Sequence, residues 1–184
     1  MTQKIQECLN RGIKVCGIFF DISKAFDKVW HSGLIYKLIY LGVPMYIIRF
    51  IKSFLSDRSF KVKINDKYSE THPITCTVPQ GSVLGPLLFL VFIGDIPLSN
   101  KKNVSYSALF ADDLSTIFFL RDTKKIKKMM NDYLECLVEW LFKWRLKMNA
   151  SKCCYTIFRA SGRSDLELDL RLKGDPIPTQ TQYF

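Results

Sequence analysis

Two adjacent aspartates between two strand-like runs constrain the fold of this chain more than any other feature of the sequence. Residues 104–110 and 114–120 are mainly apolar and aromatic, and Ala111-Asp112-Asp113 separates them. Strand-like runs on both sides of so short a polar break predict a β-hairpin with acids at its tip. On its own, however, an Asp-Asp pair between strands is most often only a turn.

A third carboxylate ends another strand-like run. Residues 13–22 are β-branched and aromatic, and they reach Asp21 near their end. Carboxylates carried together by such segments repel one another unless they are protonated or neutralised. Without soft ligands nearby, the natural counter-ion is Mg²⁺ or Mn²⁺. Two such ions about 4 Å apart would activate an attacking hydroxyl and stabilise a leaving phosphate oxygen.

The rest of the chain mixes helical and strand periods without a regular βαβ alternation. Helices are predicted over residues 31–41, 44–55 and 123–148, and in the apolar stretch 84–93 after Pro86; residues 1–11 fit the end of a helix. A hairpin around Asn65-Asp66 is predicted over residues 59–77, and further strands over 154–158 and 166–172. Such a mixture predicts an α+β fold with a largely antiparallel sheet.

The charge of the chain indicates the class of partner. There are 27 Lys and Arg against 17 Asp and Glu, a net charge of +10, and 48% of the residues are hydrophobic. So apolar a chain is not a disordered basic tail. A folded protein with this excess of positive charge is expected to bind a polyanion. Nucleic acid is the first candidate and an acidic membrane surface the second, and the charge alone cannot separate them.

The expected location is intracellular, in the cytoplasm or the nucleus. The N-terminus does not resemble a signal peptide, and the apolar stretch 83–94 is too short for a membrane span. Six cysteines without a CxxC pair favour reduced thiols over a zinc site or disulfides. We therefore expect no membrane partner.

Three segments carry a resemblance to a known family. Residues 19–27 (FFDISKAFD), 78–86 (VPQGSVLGP) and 110–113 (FADD) resemble the successive A, B and C motifs of reverse transcriptases, most closely those of jockey-type non-LTR retrotransposons. The resemblance begins at about Gly12 and covers nearly all of the chain. It implies that residues 1–184 are a polymerase palm with part of the fingers, cut from a longer polyprotein before the thumb.

The resemblance also implies a metal site. In this implied site, Asp21 and Asp112 bind both catalytic ions, Mg²⁺ or Mn²⁺, and Asp113 has a weaker metal role. The Ile22 carbonyl is a further oxygen ligand. Residues 149–152 resemble the D motif, in which Lys152 can act as a general acid near the pyrophosphate.

A second group of residues is implied to contact the incoming nucleotide. Phe26 resembles the steric gate that excludes a 2′-hydroxyl, although without the family it reads as a core aromatic. The other members lie in the turn after the strand and in the B motif: Ser23, Lys24, Ala25, Gln80 and Gly81. The alternative interpretation of Lys24 is a solvated surface charge. The alternative for Gln80-Gly81 is a simple turn before the next helix. Asp27 and His31 are predicted to cap the following helix.

The function implied is that of an RNA-directed DNA polymerase. Its partners are an RNA template, a DNA primer and deoxynucleotides, which are added to the primer 3′-hydroxyl. One alternative is an inactive transposon-derived remnant with a basic surface that binds nucleic acid. Another is an RNA-dependent RNA polymerase palm, which has a similar layout of acids, although Phe26 and the FADD form of the third motif favour the reverse transcriptase.

Overall fold

The computed structural model describes residues 2–158, 168–172 and 174–180, which form two compact units. The first unit contains the chain up to Ser23, Ile96–Lys143 and the described residues from Lys147 onward. The second contains Lys24–Asp95 and Trp144–Leu146. In chain order the elements are α1 (Thr2–Asn10), β1 (Lys14–Asp21), a 3₁₀ turn (Phe26–Lys28), α2 (His31–Tyr40), α3 (Met45–Leu55), β2 (Ser59–Phe60), β3 (Lys63–Ile64), β4 (Lys67–Tyr68), β5 (His72–Pro73), α4 (Leu84–Ile93), β6 (Ser105–Phe110), β7 (Asp113–Leu120), α5 (Thr123–Lys143), β8 (Cys154–Phe158), β9 (Arg171–Leu172) and β10 (Asp175–Pro176).

A four-stranded sheet is the centre of the first unit. Its strands lie in the order β6-β7-β1-β8, and each neighbouring pair is antiparallel. The predicted α+β class with a largely antiparallel sheet is therefore confirmed. The two central strands, β1 and β7, are the apolar runs that end and begin with aspartate.

The two faces of this sheet are covered differently. On one face, Phe20 of β1 and Phe118 of β7 pack edge-on against Tyr133 of α5, with ring centroids 6.1 Å apart in each case. On the other face, Ile5 of α1 packs with an apolar cluster that includes Val15 of β1. Asp21 shares the face of Val15, because six positions along a strand restore the same side, and it lies at the opposite end of β1.

The second unit is built on α2, α3 and α4. Lys37 of α2 is buried, and its ammonium group donates hydrogen bonds to the Phe92 carbonyl and to the Asp95 carboxylate. The same ammonium nitrogen lies 3.6 Å from the ring centroid of Trp144. A buried lysine is tolerated because its charge is paired and its remaining surroundings are aromatic.

An exposed hairpin arm projects from the second unit. Strands β2 and β5 pair at its base, and β3 and β4 pair at its end. The turn residues Asn65 and Asp66 have positive φ angles of 44° and 62°, as a two-residue hairpin turn of type I′ requires. The hairpin predicted around these two residues is confirmed.

Two predicted elements are longer than the observed ones. The predicted helix 123–148 ends at Lys143, because Arg145 has a φ of 58° and Met148 forms an antiparallel bridge with Ile22. Of the described residues 168–172 in the predicted strand 166–172, only Arg171–Leu172 is a strand, and residues 166–167 lie outside the described residues. Within the described part of the chain, no helix has both the length and the apolar content to cross a membrane.

Candidate active site

Asp21 and Asp113 face each other at the end of the central strand pair. Asp21 is the last residue of β1, and its register partner is Asp113, the first residue of β7. The Asp21 N–H donates to the Cys153 Sγ at 3.5 Å, and the Asp21 carbonyl accepts from the Asn149 N–H at 3.2 Å. Both backbone groups of Asp21 therefore point away from β7. In an antiparallel pair, the Cα and Cβ atoms approach most closely at such a position, so the two aspartate side chains leave the backbone close together on one face.

The hairpin tip is shorter than predicted. Only Ala111 and Asp112 connect β6 to β7, because Asp113 continues the ladder by pairing with Phe110 and Asp21. Ala111 has a φ of 50°, in the left-handed region that side chains disfavour. Asp112 is half-buried beside it. The prediction that all three residues lie in the tip is therefore wrong for Asp113, which belongs to the strand.

The three carboxylates fit a hard cation in their chemistry and only partly in their arrangement. Among the described residues, no ion pair or hydrogen bond engages the carboxylates of Asp21, Asp112 or Asp113. Unpaired carboxylate oxygens are the ligands that Mg²⁺ and Mn²⁺ prefer. The part of the chain that is described holds no group of three or more His, Cys, Asp or Glu placed to bind a metal. The register thus places Asp21 opposite Asp113, and the three acids do not form a ready-made group of metal ligands within the described residues.

A backbone carbonyl adds an oxygen at the same end of β1. Around Ile22, the Ser23 N–H donates to the Lys147 carbonyl at 2.9 Å, and the Asp21 carbonyl faces Asn149. Since backbone groups alternate in direction along an extended chain, the Ile22 carbonyl points to the other side, where β7 and the hairpin tip lie. This direction suits the predicted role of Ile22 as an oxygen ligand.

The turn that carries Lys152 is attached to Asp21. The Asn149 side-chain oxygen accepts hydrogen bonds from the Ser151 N–H at 3.2 Å and from the Ser151 hydroxyl at 2.7 Å. The Asn149 carbonyl also accepts from the Lys152 N–H at 3.0 Å. A side chain that folds its own turn in this way holds the following residues in place. Lys152 is exposed at the end of a turn whose first N–H bonds to Asp21.

Cys153 is a contact of this site that the sequence does not reveal. Its side chain is fully buried, and its sulfur accepts the Asp21 N–H. Burial raises the pKa of the Cys153 thiol and outweighs the Asp21 N–H bond, which lowers it; the nearby Asp21 charge raises the pKa further. The thiol is therefore protonated at neutral pH and supports β1 as a neutral packing group.

In the second unit, Phe26 is held by an aromatic stack. Its ring lies 4.1 Å from that of Phe89 in α4, with 21° between the ring planes. Phe26 is half-buried, and Ala25 beside it is buried. Stacking of this kind fixes the plane of a ring as well as its position.

The turn that follows β1 offers two free backbone donors. Lys24 has a φ of 49°, and Ala25 is right-handed, with φ −52° and ψ −49°. No hydrogen bond within the described residues engages the N–H groups of Lys24 and Ala25, whereas that of Ser23 is used by Lys147. Consecutive donors with dihedrals of opposite hand form a concave site that attracts anions. Of the three predicted residues, Lys24 and Ala25 have the geometry to donate to a phosphate.

The Gln80-Gly81 turn begins α4. Gly81 has a φ of 80°, a conformation that glycine adopts at no steric cost. The Ser82 hydroxyl donates to the Pro79 carbonyl at 2.6 Å and accepts from the Gly85 N–H at 3.0 Å. A Cβ atom at Gly85 would lie 2.5 Å from the Pro79 carbonyl oxygen, so this position has no room for a side chain.

We expect a Gly85→Ala substitution to lower the free energy of unfolding by about 1–3 kcal/mol. The new methyl group meets backbone, which cannot turn aside as a flexible side chain would. Urea unfolding measures the effect, and the exposed Leu87 of the same helix provides the control. Leu87→Ala should change stability by less than about 0.5 kcal/mol. Equal stability of the two variants would contradict this packing.

Asp27 and His31 do not cap α2, so that prediction is wrong. Helix α2 begins at His31 without any side-chain cap. Instead, the His31 Nε2 lies 2.7 Å from the Thr77 carbonyl, and an Asp27 oxygen accepts from the Gln80 Nε2 at 3.0 Å. Both partners are about fifty residues away in sequence, where the local pattern used to predict a cap carries no information.

Comparisons with known proteins agree on one family. Residues 2–182 match the reverse transcriptase (RNA-dependent DNA polymerase) family. The chain is 34% identical, over 91% of its length, to a protein of Drosophila melanogaster named probable RNA-directed DNA polymerase from transposon BS. It is 37% identical, over 77% of its length, to the RNA-directed DNA polymerase from mobile element jockey of the same species. The chain spans about a fifth or less of each relative, 19% and 16% of their lengths.

Solved structures agree on the fold. The structure of apo telomerase from Candida tropicalis, truncated from its C-terminal domain, is similar to this chain with a TM-score of 0.60 at 16% sequence identity. The similarity covers 89% of this chain and 35% of the telomerase chain. A second telomerase structure from that organism, in complex with a fragment of telomeric RNA, has a TM-score of 0.55 at 16% sequence identity. This similarity covers 85% of this chain and 28% of the telomerase chain. These likenesses support the predicted polymerase palm fold.

Proposed function

Because this chain belongs to the reverse transcriptase family, we propose that it carries the palm of an RNA-directed DNA polymerase, which adds deoxynucleotides to a primer 3′-hydroxyl on an RNA template. The observation that carries the proposal is the opposed pair of Asp21 and Asp113 at the end of β1 and β7. Two like charges placed directly opposite each other destabilise a sheet unless a cation separates them.

The proposed cation site has oxygen ligands only. Asp21 and Asp112 would hold the Mg²⁺ or Mn²⁺ ions, with the Ile22 carbonyl as a further ligand and Asp113, opposite Asp21, in a weaker metal role. When bound, two such ions activate the attacking hydroxyl and stabilise the charge on the leaving pyrophosphate. The protein's own contribution is the rigid strand pair, which fixes where the carboxylates stand.

The remaining residues of the proposed site bind and orient the nucleotide. Phe26 would pack under the sugar, where its stacked ring leaves no room for a 2′-hydroxyl. The N–H groups of Lys24 and Ala25 would donate to the triphosphate, and Gln80 to a sugar or phosphate oxygen. Lys152 would donate a proton to the leaving pyrophosphate as a general acid.

The proposed macromolecular partners are an RNA template and a DNA primer. The net charge of +10 suits a duplex with one phosphate charge per nucleotide. The telomerase neighbour in complex with telomeric RNA has the same fold, which supports a nucleic-acid partner for this chain.

A primer-extension assay on the purified 184-residue chain tests the proposal. We expect template-directed extension of a DNA primer on RNA with deoxynucleotides and either Mg²⁺ or Mn²⁺, and none after chelation. Binding of the primer-template without extension under any divalent ion would instead identify a remnant that retains only the basic surface.

A further inference from the structure

The segments around Phe26 and Gln80 are joined by hydrogen bonds. The Thr77 N–H donates to the Val29 carbonyl at 3.0 Å, and the Val78 N–H donates to the Phe26 carbonyl at 3.2 Å. The Thr77 carbonyl faces the His31 Nε2 at 2.7 Å. Because a carbonyl only accepts, this ring nitrogen must carry a proton. The backbones on the two sides are therefore held in a fixed register.

One side-chain contact continues this connection to Gln80. The Gln80 Nε2 donates to an Asp27 carboxylate oxygen at 3.0 Å. An ionised carboxylate accepts hydrogen bonds and donates none, so it selects the NH₂ end of the Gln80 amide. The amide oxygen of Gln80 is then presented on the opposite side. Asp27 thus determines that the amide oxygen of Gln80, and not its NH₂ group, is available to another partner.

Asp27 has a rigid support. It lies in the 3₁₀ turn directly after Phe26, and its own N–H donates to the Lys24 carbonyl at 3.0 Å. The stack of Phe26 on Phe89 fixes the residue that precedes Asp27 in the same turn. A side chain on such a support positions its partner with little motion of its own.

We propose that Asp27 is a positioning residue that orients the Gln80 amide toward the incoming nucleotide. The proposal rests on the proposed function, in which Gln80 contacts that nucleotide. Both side chains are exposed, so the hydrogen bond adds little to the stability of the fold. The hydrogen bond instead restricts the conformations of the Gln80 amide before the nucleotide binds, so that less conformational entropy is lost on binding.

Kinetics of five variants test this role: Asp27→Ala, Asp27→Asn, Gln80→Ala, the double variant Asp27→Ala/Gln80→Ala and a control. Asp27→Ala should raise the KM for deoxynucleotides about 3- to 10-fold and leave kcat within about twofold. Asp27→Asn should restore the KM, because its side-chain oxygen can still accept the bond. Asp27→Ala should add nothing in a Gln80→Ala background, since the group it positions is gone. Glu70→Ala, at an exposed acid of the hairpin arm, is the matched control for lost charge.

The ¹⁵N signals of the Gln80 side-chain amide provide a readout that does not need catalysis. In the wild-type chain we expect an ordered amide, and in Asp27→Ala a shifted and motionally averaged one. Unchanged Gln80 signals, or additive KM effects in the double variant, would overturn the positioning role. If the wild-type chain extends no primer, the polymerase proposal fails by itself. In that case, titration of deoxynucleotide while the Gln80 ¹⁵N signals are followed gives the nucleotide affinity of each variant. We expect weaker affinity in Asp27→Ala than in the wild type, and recovery in Asp27→Asn.

Discussion

An Asp112→Asn variant is expected to extend a primer at least about 1,000-fold more slowly than the wild-type chain while it keeps its fold. Asparagine has nearly the same shape as aspartate and lacks its negative charge. A loss of about 4 kcal/mol of transition-state stabilisation corresponds to this factor, and stabilisation by a bound divalent ion amounts to several kcal/mol. The fold should survive, because no partner within the described residues depends on the Asp112 carboxylate.

Single-turnover extension rates and urea unfolding together measure this effect. Stability should remain within about 0.5 kcal/mol of the wild type, as for an ordinary surface substitution. Asp132→Asn, at an exposed acid of α5 in the same unit, should extend at the wild-type rate. A folded Asp112→Asn chain with more than a tenth of the wild-type rate would refute the assignment of this residue to the metal site.

A Phe26→Ala variant is expected to incorporate ribonucleotides about 10- to 100-fold more readily, relative to deoxynucleotides, than the wild-type chain. Removal of the ring opens the space that a 2′-hydroxyl needs, and steric discrimination of this size is typical of a shaped pocket. Phe26 also loses its stack on Phe89, 4.1 Å away. That loss should cost about 0.5–1.5 kcal/mol of stability beyond the buried area.

The ratio of kcat/KM for the two sugars measures the selectivity. Phe26→Tyr retains the ring and should retain most of the discrimination. Phe60→Ala removes an exposed ring of the hairpin arm in the same unit and should leave the ratio unchanged. If Phe26→Ala discriminates as well as Phe26→Tyr, the ring is a packing residue and the gate lies elsewhere.

The strands of the site could be predicted because their pattern is local. The apolar run that ends at Asp21 and the break at Asp112 are visible in any short window of the sequence, and the structure places strands at both. The end of α5 could not be predicted, because Trp144 and Met148 continue the helical spacing. Trp144 instead packs beside Lys37, and Met148 bridges to Ile22. Only the tertiary structure distinguishes these uses of an apolar side chain.

The contacts within the site depend on residues far apart in sequence. That Asp113, and not Asp112, stands opposite Asp21 follows from the register of β1 on β7, which no local pattern contains. The pairing of Asp27 with Gln80 and the support of Asp21 by Cys153 are long-range in the same way. The sequence therefore names candidate residues but does not give their partners.

The strand order β6-β7-β1-β8 has a consequence for synthesis on the ribosome. Strand β1 is completed at Asp21, whereas its neighbours begin only at Asp113 and Cys154. At about 5–20 residues per second, β1 waits at least about 5 s with both edges unpaired. Long-range pairing of this kind is also slow to form. The nascent chain therefore exposes its apolar first strand during this interval, and we expect a chaperone that shields β1 to raise the yield of folded protein.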